Sequence, residues 1–236
     1  MDRQLKKVAK SDEFKQQVWH GIDFLTEHPA EIKKYGGIAL AVLVAAAGIY
    51  FYIHHQADAR EEALATALRV DQGTVGAAAQ GGGLHFATED EKNKATDKAF
   101  REVATKYPGT QEGGIAQMNL GQSAVDRGDL LEAEKDFKSV VDSAPTAYAS
   151  QAALALAQLY DLEGKTAEAE KLLKSLVTNP TITVSKDEAQ LALAKVQAKS
   201  DPAGACKILV SLQSSRNAIS KAAVSEMGEL CSGRIN

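Results

Sequence analysis

The apolar positions along the chain fall into three regimes. From Tyr35 to Ile53 the run YGGIALAVLVAAAGIYFYI carries no charge and keeps no polar face. As a helix it would be roughly 28 Å long against a hydrocarbon core of about 30 Å, so it predicts a membrane span. Tyr35, Tyr50, Phe51 and Tyr52 gather at its ends as interfacial aromatics do. Ahead of it, Phe14, Val18, Ile22 and Leu25 recur at helical spacing with Trp19 beside them, an amphipathic stripe suited to a membrane surface, a partner or a neighbouring helix. Behind it, apolar residues recur every three or four positions between short turn signals, the pattern of packed helices.

Pro29 suits a first helical turn, and no breaker intervenes before the series Ala57, Leu64, Ala67, Leu68 and Val70, so one long helix is expected from Pro29 to about Val70. Asp71 to Ala87, with Gly73, Gly76 and Gly81-Gly82-Gly83, reads as a flexible loop on composition. It lacks the preceding strand and following Lys-Ser or Lys-Thr of a phosphate-cradling loop.

Residues 128–141, GDLLEAEKDFKSVV, and 164–177, GKTAEAEKLLKSLV, match at eight of fourteen positions with a shift of 36. A period near 35 points to paired-helix solenoids. Asn119-Leu120-Gly121 sits midway in a first helix, where a missing side chain admits the second. Gly128-Asp129 makes the turn, Ala133 is the small contact at the crossing, Phe137 fills the space between repeats, and Pro145 closes the unit. Leu-Gly, Gly-Asp, Glu-Ala, an aromatic and Pro in this order resemble the tetratricopeptide repeat.

A second unit keeps Leu156, Ala157, Tyr160, Gly164, Ala169, Leu173 and Leu176 in register, with Pro180 one place early. A third rests on spacing, with Ala205 for Ala133, Leu209 for Phe137 and Leu212 for Val140. In it Leu193 replaces the glycine and Ser200-Asp201-Pro202 makes the turn. Upstream, Phe100, Val103 and Pro108 repeat the spacing of an earlier second helix, opened by Thr88 and Glu91 as a capping box, its first helix displaced towards the membrane run. Ile219, Ala222, Ala223, Met227 and Leu230 predict a final capping helix. The expected fold is all-α: a transmembrane helix, then a tetratricopeptide-like solenoid of about three to four helical pairs with a C-terminal cap. The expected segments are 1–34 cytoplasmic, 35–53 transmembrane, 54–87 continuing helix and Gly-rich loop, and 88–236 the repeat domain.

Composition agrees with helices: 44% of the 236 residues are apolar, only 6% aromatic, and five prolines leave long uninterrupted segments. Residues 1–34 hold seven Lys/Arg against six Asp/Glu, so the remainder is mildly acidic and a poor partner for nucleic acid. Lys33-Lys34 precede the apolar run, whereas the first basic residue after it is Arg60, which places the N-terminus in the cytoplasm. Residues 54–236 would then face the periplasm of a bacterial cell. Thirty-four residues precede the run, too many for an ordinary signal peptide, so an uncleaved anchor is expected.

No catalytic, cofactor or metal residues are predicted. His20, His28, His54, His55 and His85 are scattered, and Glu132, Glu134, Glu168 and Glu170 alternate with lysines at helical spacing as on a solvated face. Cys206 and Cys231 form no zinc motif. On an antiparallel hairpin turning near Ser215, the position level with Cys206 is about residue 224. Cys231 then lies about 10 Å further on, and the pair is expected to remain unbonded.

One N-terminal span, helix continuing outward and degenerate repeats resemble the ancillary subunit of the bacterial Sec translocon. That resemblance implies an inner-membrane protein whose partners are the translocon, periplasmic chaperones or secreted clients. The junction Tyr107-Pro108-Gly109-Thr110 also looks like repeat junctions of envelope-assembly and cell-division proteins, which keeps a structural scaffold as an alternative. A membrane-tethered enzyme is the remaining one. In tetratricopeptide domains the first helix of each pair lines the groove. The matching positions are Met118, Gln122, Val125 and Asp126, then Leu154, Gln158, Asp161 and Leu162. These residues either receive a peptide or merely solvate the groove and pack against the cap.

Overall fold

A computed structural model describes residues 29–76, 83–213 and 218–231. The stripe at Phe14, Val18, Trp19, Ile22 and Leu25, the histidines His20 and His28, and the glycines Gly81 and Gly82 lie outside the described residues. The chain forms two compact units that divide between Asp58 and Ala59.

Helix α1 spans Pro29–Asp71. In the first unit its apolar run has no burial at all: Ile38, Leu40, Val42, Leu43, Val44, Ile49 and Tyr50 to Ile53 are all exposed. It is long and apolar enough to cross a membrane.

The second unit is a run of paired helices. Leu64 and Ala67, at the end of α1, pack on Phe100, Val103 and Tyr107, which gives the helix α2 (Glu89–Lys106) its first-helix partner. The Gly-rich connection departs from the expected loop. Thr74–Val75 (β1) pairs in parallel with His85–Phe86 (β2). The Phe86 ring also lies where a side chain on residue 73 would stand, 2.5 Å from a Cβ built on Gly73. Two-residue strands leave no alternation to detect in a sequence. The capping box is present with a shift: Thr88 accepts from the Glu91 N–H, while the Glu91 carboxylate accepts from the N–H of Ala87 rather than Thr88.

Three pairs follow: α3 (Gln111–Asp126) with α4 (Leu130–Ser143), α5 (Thr146–Leu162) with α6 (Thr166–Thr178), and α7 (Lys186–Ser200) with α8 (Pro202–Gln213). Helix α9 (Ala218–Leu230) packs on both α7 and α8. The 36-residue period appears as burial. Ala133, Ala169 and Ala205 are each fully buried at the crossings, and Phe137, Leu173 and Leu209 fill the layer beyond them. The third unit, legible only by spacing, therefore packs like the other two.

Gly128 and Gly164 hold φ of 77° and 75°, left-handed values that favour glycine. Each ends its helix with the same paired bonds: Asp129 N–H to Ala124 O and Gly128 N–H to Val125 O, then Lys165 N–H to Tyr160 O and Gly164 N–H to Asp161 O. The early Pro180 has a consequence. The α6–α7 connection runs Asn179 to Ser185, and a hydroxyl cluster of Ser150, Thr181 and Thr183 closes it over a fully buried Val184.

One expectation is overturned. Cys206 and Cys231 are disulfide-bonded, with Cα atoms 5.8 Å apart. Level-for-level counting assumed that α9 simply doubles back along α8. It packs on α7 as well, with Lys195 of α7 paired to Glu226 at 2.8 Å. Its path is set by two helices, and its end, not its middle, reaches Cys206.

Candidate protein-binding groove

Helices α3 and α5 are the first members of successive pairs and lie side by side. Gly121 admits α4 to α3, so closely that the Phe137 ring lies 2.7 Å from where a Cβ on residue 121 would be. The ring forms the floor of a groove of about 320 Å³, walled by Ile115, Met118, Asn119 and Gln122 of α3 and by Tyr148, Gln151 and Ala155 of α5. The Asn119 amide donates to Ile115 O at 2.8 Å and the Gln122 amide to Asp126 at 2.9 Å, which leaves both side-chain oxygens free to accept from a ligand. An apolar floor with amide and phenol groups on the walls suits a peptide, whose backbone needs partners and whose side chains need cover.

Of the positions read from the sequence, Met118 and Gln122 line this groove. Asp126 stands at its edge as the acceptor of Gln122. Val125 and Leu154 instead pack half-buried against the central core. Asp161 pairs with Lys199 at 2.8 Å, Gln158 is exposed, and Leu162 is 71% exposed. The reason is geometric. A 36-residue shift copies the same face onto the next helix, but two neighbours meet a shared groove with different faces. Tyr148, Gln151 and Ala155 were missed for this reason, although their i, i+3, i+7 spacing marks one helix face.

A set of cross-repeat carboxylates holds the helices in place. Asp97 of α2 accepts from Ser123 and pairs with Arg127 at 2.7 Å, Glu134 of α4 takes Tyr160 and Lys165, and Glu170 of α6 takes Gln197 and Ser200. Glu134 and Glu170 were read as part of a solvated face. Their i, i+4 pairs with Lys138 and Lys174 exist, yet both carboxylates also reach the first helix of the next pair. Lys138, then Lys165, hold the Glu134 carboxyl down at about 2, with Tyr160 adding to the effect. The Lys165 ammonium is pushed up by Glu163 and Glu134. Asp136 is the opposite case: it is 1% exposed, accepts one bond from Gln117, and burial pushes its carboxyl up. Among the described residues no three His, Cys, Asp or Glu side chains gather as metal ligands.

A second concavity of about 430 Å³ lies between the end of α1 and α2, lined by small apolar residues such as Ala59, Ala63 and Ala99 together with Glu62, Glu102 and Lys106.

Residues 33–147 match the family model of a tetratricopeptide repeat-like domain, and residues 118–181 match that of a tetratricopeptide repeat. Among solved structures, the chain resembles two crystal structures of nearly identical TPR-like repeats named for a kinesin light chain of Podosopora anserina, one of them a point variant. Each has a TM-score of 0.53 and 15% identity over 73% of this chain, covering 84% and 85% of theirs. At that identity the likeness speaks for the fold alone. No curated protein matches the chain.

Proposed function

We propose that this chain, a protein-interaction module by virtue of its tetratricopeptide-like repeats, is anchored by α1 in a bacterial inner membrane as an ancillary subunit of the Sec translocon. Residues 1–34 are cytoplasmic, residues 35–53 span the bilayer, and the remainder is periplasmic, where the α3–α5 groove receives segments of secreted proteins or chaperones. The observation that carries the reading is the apolar run of α1. Ten large apolar side chains from Ile38 to Ile53, each 55% exposed or more, are tenable in a bilayer and costly in water. The basic pair Lys33-Lys34 supports the orientation. The groove supports recognition rather than catalysis, since its walls hold amides, a phenol and aliphatic groups but no nucleophile with a base.

Protease added to intact spheroplasts tests the anchor and its direction. The expected result is loss of residues 54–236 with the N-terminal segment spared and membrane-bound after alkaline carbonate washing. A protected repeat domain reverses the orientation, and release by carbonate removes the span.

A further inference from the structure

The end of the repeat stack has its own core cluster, in which Leu191 of α7, Cys206, Leu209 and Leu212 of α8, Ala223 of α9 and Cys231 just beyond it come together. An open solenoid end needs a cap, and α9 supplies it by packing on α7 and α8. Among its described side chains only Ala223 is fully buried, with Ile219 and Ala222 half-buried. The Lys195–Glu226 pair is half exposed on the lysine side and adds little. A helix of thirteen residues is marginal in water by itself and depends on what it packs against. A covalent tie is added to this packing: both bonded cysteines are buried, 9% and 2% exposed, and the bond ties the far end of α9 to the start of α8.

We propose that the Cys206–Cys231 bond is a redox lock on the open end of the stack, closed by an oxidising disulfide-carrying partner, and that its reduction releases α9 while the preceding repeats stay folded. In the closing step a cysteine thiolate attacks the partner's disulfide and expels one partner thiolate. The second cysteine thiolate then displaces the other from the mixed disulfide. The chain gives up two electrons and two protons, and the partner leaves as a dithiol. Both sulfurs are covered in the closed state, so exchange takes place with α9 undocked. Opening is local because α9 contributes to the end cluster and not to the one that joins α3 to α7, the two sharing only the half-buried Ile208 of α8. A buried disulfide belongs to an oxidising compartment. The lock thus agrees with the periplasmic placement proposed above without depending on it, since the bond can be made and broken in purified protein.

Hydrogen exchange by mass spectrometry on the full-length chain in detergent tests the lock. Three forms are compared: oxidised with glutathione disulfide, reduced with excess dithiothreitol, and the Cys206→Ala/Cys231→Ala variant, with free thiols counted by alkylation in denaturant. Exchange over 218–231 is expected to rise about tenfold or more in the reduced form and the variant, with 111–178 changing less than about twofold. Unchanged exchange over 218–231 in a chain whose thiols are both free overturns the proposal. Equal acceleration through 111–178 does so too, because the bond would then hold the whole domain. Alkylation trapping in intact cells tests the oxidising partner: an unlabelled pair supports it and a labelled pair overturns it, whichever way the spheroplast experiment falls.

Discussion

Gly121→Ala adds one methyl where the structure has no room for it. The new carbon would lie 2.7, 2.8 and 3.1 Å from Cε1, Cδ1 and Cζ of Phe137, against a comfortable carbon separation of about 3.5–4.0 Å. Phe137 is 2% exposed and cannot swing into solvent, so either the ring leaves its rotamer or α4 retreats. Overpacking of this kind costs about 1–3 kcal/mol, while replacing a mid-helix glycine by alanine returns about 1 kcal/mol. The shortfall is nearly 1 Å against a rigid ring, so the upper half of that range applies and a net loss of about 1–2 kcal/mol is expected. For a unit of this size that lowers the thermal midpoint by about 2–8 °C.

The chain already contains the compensated version. Thirty-six residues on, Ala157 occupies the glycine position and Leu173 the phenylalanine position, both buried. Phe137→Leu alone leaves a void and loses about 1 kcal/mol or more. The double variant Gly121→Ala/Phe137→Leu recreates the second repeat's pairing, and its loss should be at least about 1 kcal/mol smaller than the sum of the singles. Urea and thermal melts followed by circular dichroism on the four proteins read this directly. Strict additivity, or a Gly121→Ala protein more stable than the parent, refutes the proposed crossing.

Further outcomes follow from the same geometry. Ala133→Leu or Ala169→Leu, at fully buried crossings, should each cost about 1–3 kcal/mol in urea melts. The Glu134 carboxyl is held at about 2, below its ordinary 4.5, so its stabilisation is present above pH 4.5 and fades as pH falls towards 2. The midpoint difference between the parent and Glu134→Gln should therefore be largest near pH 7, fall to about half or less at pH 3 and vanish only as pH drops through about 2, and a pH-independent difference counts against the cross-repeat pairing. Asp136 is raised instead, so its contribution is complete below its ordinary 3.8 and is lost as pH climbs through the folded value. Asp136→Asn should be at least as stable as the parent at pH 7 and gain nothing at pH 3.

The parts of this fold legible in the sequence are those imposed by sterics at a fixed place. Gly121, Gly128, Ala133 and their partners 36 residues on each answer to a close approach or a left-handed turn, so residue type alone reveals them. The third pair could be placed by spacing because Ala205, Leu209 and Leu212 keep the burial period after the motif is lost. What depends on the angle between elements was not legible. The Cys206–Cys231 bond requires the path of α9 across two helices, and the groove requires knowing which face of α5 turns to α3. The carboxylates at 134 and 170 look like within-helix pairs because their second partners, Lys165 and Gln197, are 31 and 27 residues away.

Quantitative co-purification from mild detergent tests the central claim most directly, comparing the full-length chain with Met118→Glu and with Tyr148→Ala/Gln151→Ala, each first shown to melt like the parent. Translocon subunits should accompany all three proteins, whereas chaperones or secreted clients should accompany the parent and drop about tenfold or more with the groove variants. Equal recovery of every partner from folded groove variants would contradict recognition through the groove, and absence of translocon subunits from the parent would contradict the assignment itself.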